Sequence, residues 1–339
     1  MGRVGATALA LALAAAAPAA ADDFYAGKQI TLYIGSTPGG GYDSYARLLA
    51  RHWSEHIPGH PTIVPVNMPG AGSNKLAYYI FAVAPKDGTA VGEIFPGAVL
   101  EPLIGNQQVP FDPKKLLYVG SANRENFLCV LRSDTAVKSF KDAFTNSVRL
   151  AASAQGGSTR EMPLMLNRIL GTKFEIVAGY PGSREMMLAI EQGEVAGLCG
   201  ISDSSIAEAH PDWLPSGKYF ILAHESTIPD PALAAEHVPI TGDFAKSADD
   251  KAVLELMYSQ QFYGRPFVVP PETPPDRVEV LRQAFSAALA DPATVEDAKR
   301  VRLALRPSNG AAVQAVVDKV YKTPPAIVAR LKAAIAPTP

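Results

Sequence analysis

The alternation of apolar and polar positions is sharpest between Thr31 and Asn74. The apolar run Thr31-Leu-Tyr-Ile-Gly-Ser36 predicts a strand. The glycine-rich turn Thr37-Pro-Gly-Gly-Gly-Tyr-Asp43 follows, and Ala46, Leu49, Trp53 and Ile57 then recur at helical spacing. Asp43 stands where an N-cap would be, and Pro58-Gly59 stops the helix. The unit then repeats. Thr62-Ile-Val-Pro-Val-Asn67 reads as a strand and Met68-Pro-Gly-Ala-Gly-Ser-Asn74 as a turn. A helix from Ser73 or Asn74 through Val83 turns Leu76, Ile80 and Val83 inward. Ala90 to Phe95 predicts a third strand, ended by Pro96-Gly97. Strand and helix in alternation predict a parallel α/β sheet.

A second series begins after the connecting stretch Phe111-Asp-Pro113. Tyr118 to Ser121 and Phe127 to Leu131 read as strands, with Ala122 to Asn126 a crossover between them. Val148 to Ser153 is a strand, Gln155-Gly-Gly-Ser-Thr-Arg160 a turn and Glu161 to Leu170 a helix, with Ser158 and Glu161 spaced as a capping box. Phe174 to Ala178 leads through Gly179-Tyr-Pro-Gly-Ser183 into a helix carrying Met186, Ala189 and Ile190, and Val195 to Cys199 follows as a strand before Ile201-Ser-Asp-Ser-Ser205. After the strand Tyr219 to Ala223, the stretch Pro229 to Pro239 returns the chain to the first domain. Phe262 to Val269 is a strand in which Pro266 points to an edge or an irregularity. Four helical stretches finish the chain: one holding Val278, Leu281, Phe285 and Leu289, then Ala293 to Arg302, Ala311 to Tyr321 and Pro325 to Ile335.

Composition narrows the class. The 339 residues are 47% hydrophobic and 19% charged, enough for two domains with cores of their own. A net charge of −2 gives no basis for binding nucleic acid or a polybasic contact with a membrane surface. Arg3, the apolar run Val4 to Ala17 and the small residues Ala19-Ala-Ala21 form the pattern of a secretory signal peptide over residues 1–21. The mature chain is therefore expected outside the cytoplasm. Export permits a disulfide between Cys129 and Cys199, the only cysteines. Both lie in apolar, strand-like stretches, and a bridge and two buried thiols stay equally open.

The chain contains no H-E-x-x-H, G-x-S-x-G, P-loop lysine or paired C-x-x-C motif. Gly70-Ala-Gly72 begins like a dinucleotide fingerprint, but Lys75 stands in place of its third glycine. His52, His56 and His60 are spaced by four, yet Pro58-Gly59 breaks the helix before the third, so a solvated face is the reading preferred over a metal site. No catalytic residue, metal or cofactor is assigned. What remains is four small-residue turns at predicted strand C-termini. They are Thr37 to Asp43, Pro69 to Asn74, Gln155 to Arg160 and Tyr180 to Ser183. Ligands of open α/β sheets sit outside the strand C-termini. Free N–H groups and helix dipoles there suit an anion, with Arg160 or Arg184 available for a second anionic group.

These same residues resemble a family, the periplasmic solute-binding proteins of the tripartite tricarboxylate transporters, or Bug proteins. The resemblance rests on Gly39 to Asp43 followed by Ala46-Arg47, and on Asn67-Met-Pro-Gly-Ala-Gly72. It continues through Ala84-Pro-Lys-Asp-Gly88, Phe111-Asp-Pro113, Gly157-Ser158, Tyr180-Pro-Gly-Ser183, Gly193-Glu-Val195 and Pro270 to Arg277. It implies a type II periplasmic-binding fold of two α/β domains with a ligand cleft between them. On the sequence the domains divide as residues 22–124 plus 235–339, and 125–234. The resemblance further implies hinge closure on a small organic carboxylate, a di- or tricarboxylate or an aromatic acid. Delivery to membrane permease subunits by a monomeric binding protein follows. A sensor-kinase partner is the alternative, and an enzyme on the same fold a lesser one. Carried over residue by residue, the ligand site takes Thr37, Gly40, Gly41, Asp43, Ala71 and Gly72 from the first domain, and Tyr42 and Ser73 are placed in the site beside them. Ser158, Thr159, Arg160, Tyr180, Gly182, Ser183 and Asp203 face them from the second. The sequence departs from the pattern at Tyr42, Met68, Ser73 and Asn74, and a tyrosine at the first turn would narrow the site or stack on an aromatic ligand.

Overall fold

The computed structural model describes residues 24–104 and 109–336. The expected signal peptide, residues 1–21, lies outside the described residues. Among the described residues no helix is long and apolar enough to cross a membrane.

The chain first builds β1 (Gln29–Ile34), α1 (Gly41–His52), β2 (Thr62–Asn67), α2 (Asn74–Ala82), β3 (Ala90–Glu93), α3 (Pro96–Ile104) and β4 (Leu117–Ser121). It crosses to a second sheet through β5 (Phe127–Arg132), β6 (Val148–Ala152), α4 (Ser158–Met165), β7 (Phe174–Ala178), α5 (Ser183–Glu191), β8 (Gly197–Ser202), α6 (Asp203–Ala209) and β9 (Tyr219–His224). The remainder is α7 (Pro231–Ala235), α8 (Ala248–Tyr258), β10 (Pro266–Val269), α9 (Pro275–Ala290), α10 (Pro292–Arg300), β11 (Ser308–Asn309), α11 (Gly310–Val320) and α12 (Pro325–Ile335).

Two mixed sheets result. The first has the order β11-β4-β10-β3-β1-β2, with β1 parallel to β2 and β3 and with β10 antiparallel to β3 and β4. The second has the order β7-β6-β8-β5-β9, with β6 parallel to β7 and β8 and β5 antiparallel to its neighbours. Alternate residues Ile30, Leu32 and Ile34 of β1 pack with Tyr45, Leu48 and Leu49 of α1 and with Phe285 of α9. Trp53 fills this core edge-to-face against Phe267 and Phe285, with ring centroids 6.2 and 5.4 Å away. The second sheet is covered partly from outside its own segment. Leu100 of α3, Leu254 of α8 and Leu331 of α12 share a core with Leu131, Met162 and Leu222.

Several expectations are corrected. Asp43 is not the N-cap of α1; Gly40 is, and Asp43 sits in the first helical turn. Pro96-Gly97 does not simply end a strand but opens α3, since proline is preorganised for a first helical position. The strand at Pro266 is interior rather than an edge. Pro266 is its first residue, and the expected irregularity appears as a register shift between Phe267 and Val268. The edge strand β9 runs one residue past the expected Tyr219 to Ala223, to His224, and β8 runs Gly197–Ser202 rather than from Val195 to Cys199. Cys129 and Cys199 are joined in a disulfide between β5 and β8. The three histidines diverge. His52 Nε2 and His56 Nε2 lie 2.9 and 3.2 Å from carboxylate oxygens of Asp297 in α10 and Asp291 at its N-cap, half-buried against that helix rather than on a solvated face.

Candidate functional site

The first turn is held from within by Asp43. Its carboxylate accepts from Gly39 N at 2.9 Å, Arg47 Nε at 2.8 Å and Asn67 Nδ2 at 2.8 Å. Asn67 also donates to Ser36 O and accepts from Arg47, so the end of β2 is tied to the end of β1. Burial works to raise the Asp43 pKa, but the Arg47, Gly39 and Asn67 bonds outweigh it and hold the carboxyl below its usual range. The acid thus shapes the turn. The amides of Gly41, Tyr42 and Asp43 have no acceptor inside their own helix.

The backbone of the second turn is strained. Ala71, Gly72 and Ser73 all have left-handed backbone, with φ of 49°, 61° and 72°. Asn74 Nδ2 holds this turn by bonding Ala71 O at 2.8 Å. The second turn then meets the third across the gap between the two sheets. A β-carbon at Gly72 would lie 3.1 Å from the Gly156 carbonyl carbon, and one at Gly97 only 2.6 Å from Gly156 O. Small residues here allow two backbones to touch.

In the third turn the capping box does not form as spaced. Ser158 is the first helical residue, and its hydroxyl donates to Gly200 O at 2.7 Å; Glu161 instead accepts from Gly156 N at 2.8 Å. Thr159 Oγ1 accepts from Ser153 N. Arg160 pairs with Glu161 at 2.8 Å, so its charge is spent within its own helix.

The fourth turn meets the first. A β-carbon at Gly182 would lie 3.6 Å from Thr37 Oγ1, and one at Gly39 would lie 3.3 Å from an Arg184 terminal nitrogen. Ser183 opens α5. The Tyr180 hydroxyl turns to Glu194 Oε2 at 3.3 Å. Asp203 accepts from Arg306 at 2.8 Å and from Asn126 at 3.2 and 3.3 Å, which makes it a tie at the crossover between the sheets.

Sequence reading missed the centre of this arrangement. Arg265, just before β10, is buried between the sheets. It pairs with Glu125 at 2.8 Å and donates to the hydroxyls of Ser202, Ser204 and Ser205 at 3.0, 2.9 and 3.2 Å. Its guanidinium lies over the rings of Tyr42 and Tyr45, 4.2 and 4.9 Å from their centroids. Tyr42 in turn stacks on Phe95 at 4.2 Å. Tyr42 is therefore a wall held by a cation on one side and an aromatic ring on the other. Beneath it, Glu93 is fully buried, and neither of its carboxylate oxygens has a partner among the described residues. Burial lifts its pKa well above the usual range, opposed by Arg265 and reinforced by Asp43. Glu208 of α6 also reaches across, accepting from Ser44 of α1. The serine-rich stretch Ile201 to Ser205 was visible in the sequence. Its partner 60 to 63 residues later in the chain carried no local signal.

No protein-family model matches the chain, and no curated protein matches it. Solved structures do. The chain is similar to the periplasmic binding protein BugD, at 21% identity over 91% of this chain and 97% of that one, with a TM-score of 0.70. It is similar to MatC from Rhodopseudomonas palustris with bound malate, at 20% identity over 91% and 99%, with a TM-score of 0.67. A third similar structure is R. palustris Rpa4515 with adipate, at 22% identity over 91% and 96%, with a TM-score of 0.67. The chain has the two-domain α/β fold of periplasmic binding proteins of this kind, the fold the sequence motifs implied.

Proposed function

We propose that this chain is a periplasmic solute-binding protein of the tripartite tricarboxylate transporter class. It captures a small organic carboxylate between two lobes and hands it to membrane permease subunits. The observation that carries this reading is the pairing of the four turns, first with fourth and second with third, across the gap between the sheets. Each pair gathers helix N-terminal amides, which favour an anion. The similar structures with malate and adipate support a carboxylate as that anion.

In this reading the lobes are residues 22–124 plus 235–339 and residues 125–234, and the protein works as a monomer. The amides of Gly40, Gly41 and Tyr42 and those of Ala71 and Gly72 hold the carboxylate from the first lobe, beside the Thr37 hydroxyl. Gly182 and Ser183 close on it from the second lobe. Ser73, Asp43, Ser158, Thr159, Arg160, Tyr180 and Asp203 shape the turns and the crossover. We assign the protein binding and hinge closure and no bond-making step. The test is thermal unfolding of residues 22–339 against malate, adipate, citrate and benzoate. An acid at a hundredfold excess over its Kd adds about 2.7 kcal/mol of stability, which is a visible rise in Tm. A protein that releases no bound acid on denaturation, and whose Tm none of these acids moves, would sink the proposal.

A further inference from the structure

Six arginines stand at the turns or the crossover; four are already neutralised, and Arg124 turns away to Ser308 Oγ at 3.1 Å. Arg47 pairs with Asp43, Arg160 with Glu161, Arg265 with Glu125 and Arg306 with Asp203, each at 2.8 Å. Arg184 differs. Among the described residues it makes no ion pair, and its terminal nitrogen reaches across the gap to lie against Gly39 of the first turn. The Gly39 amide beside it is occupied by Asp43, whereas the α1 amides that follow are free to receive an anion. The acids near Arg184 do not take its place. Glu208 feels its charge but is engaged by Ser44. Glu185 of the same helix sits against Gly182, and Asp43 is spent within the turn.

We infer that Arg184 is the residue through which a ligand's charge draws the second lobe over the first turn, a step that rests on the proposed carboxylate function. A carboxylate seated on the α1 amides presents its outer oxygen to a guanidinium arriving from the opposite lobe. Closure then completes a charge-assisted bond that the open form lacks, so this contact contributes to closure and to affinity together. Arg184 thus serves the carboxylate at the first turn rather than a second anionic group elsewhere. Arg160, the other candidate, is excluded from that role by Glu161.

The test is isothermal titration of malate and adipate into the wild type, Arg184→Gln and Arg184→Lys. Arg184 is exposed, so the variants should keep the wild-type Tm without ligand. For an acid the wild type binds, Arg184→Gln should lose about 10- to 100-fold in affinity, the range of one hydrogen bond to a charged group. Arg184→Lys should recover part of that loss, and the affinity of the glutamine variant should depend less on salt. A glutamine variant within twofold of wild type overturns the inference and leaves the carboxylate reading standing. A wild type that binds neither acid overturns both.

Discussion

Asp43 shows how one side chain can be read correctly as essential and wrongly as to why. The sequence places it as a helix cap beside the ligand. The structure gives it three hydrogen bonds, from Gly39, Arg47 and Asn67, that fix the turn between β1 and α1. Asp43→Ala would take one of two acceptors from the half-buried Asn67 amide and leave Arg47 Nε and the Gly39 N–H to water, and should cost about 1–3 kcal/mol in urea unfolding. Loss of binding would follow from a disordered turn rather than from a missing ligand contact. The pH dependence has a definite sign. A carboxyl held below its usual pKa adds stability that is present above about pH 4 and is lost as pH falls through its depressed value. Asp43→Asn should remove that acid limb. An asparagine variant that still loses stability over the same window as wild type would place the acid limb elsewhere. The glycines flanking Asp43 were legible because a turn that bares amides needs small residues. Arg265 was not, because an arginine gives no sequence sign that it will be buried between two tyrosines.

At the scale of elements, strands with continuous apolar runs were legible almost to the residue, as with Phe174–Ala178. Proline at a helix end was read both ways: Pro325–Ile335 was legible to the residue, and α3 was not. Pro96-Gly97 reads as a stop, although proline starts helices as readily as it ends strands, and α3 followed unseen. The miss matters because Gly97 of α3 is where the first lobe touches the third turn. A β-carbon there would stand 2.6 Å from Gly156 O, too close for any real contact. Gly97→Ala should therefore separate two effects that usually travel together. Within a helix, alanine in place of glycine stabilises by about 0.4–1 kcal/mol through the unfolded chain. Across the seam the same methyl opposes closure by about 1–3 kcal/mol of overpacking. The ligand-free protein should melt no lower than wild type, while its affinity for the acid that wild type binds falls about 5- to 100-fold. A variant that binds as tightly as wild type would mean that Gly97 and Gly156 do not meet in the bound form.

The pairing of turns across the whole molecule lay beyond sequence reading, because it joins residues far apart in the chain through contacts that no local pattern encodes. One such pairing makes closure sensitive to acid. Glu101 of α3 and Glu161 of α4 line one small cavity between the lobes, together with Ser158 and Gln260. Both carboxyls are buried, and one oxygen of Glu161 has no partner among the described residues. Burial raises the Glu101 pKa and the charge of Glu161 raises it further, against the pull of Lys332 and Arg160. Burial raises Glu161 as well, opposed by the Gly156 amide and Arg160. Opening the cleft would wet the seam and return both toward an ordinary glutamate value of about 4.3. The closed form then holds more protons than the open form. Its advantage is complete below about pH 4 and is lost as pH rises through the raised closed-state values. Ligand affinity should accordingly fall as pH rises above about 4, by at most about tenfold per pH unit for each proton released. Glu101→Gln removes one charge and the repulsion it suffers, so its affinity should change less with pH and exceed that of wild type at the alkaline end. Titrating both proteins with one acid across that range decides the matter, since an unchanged slope in the glutamine variant would show that the two carboxyls do not share the seam when the lobes close.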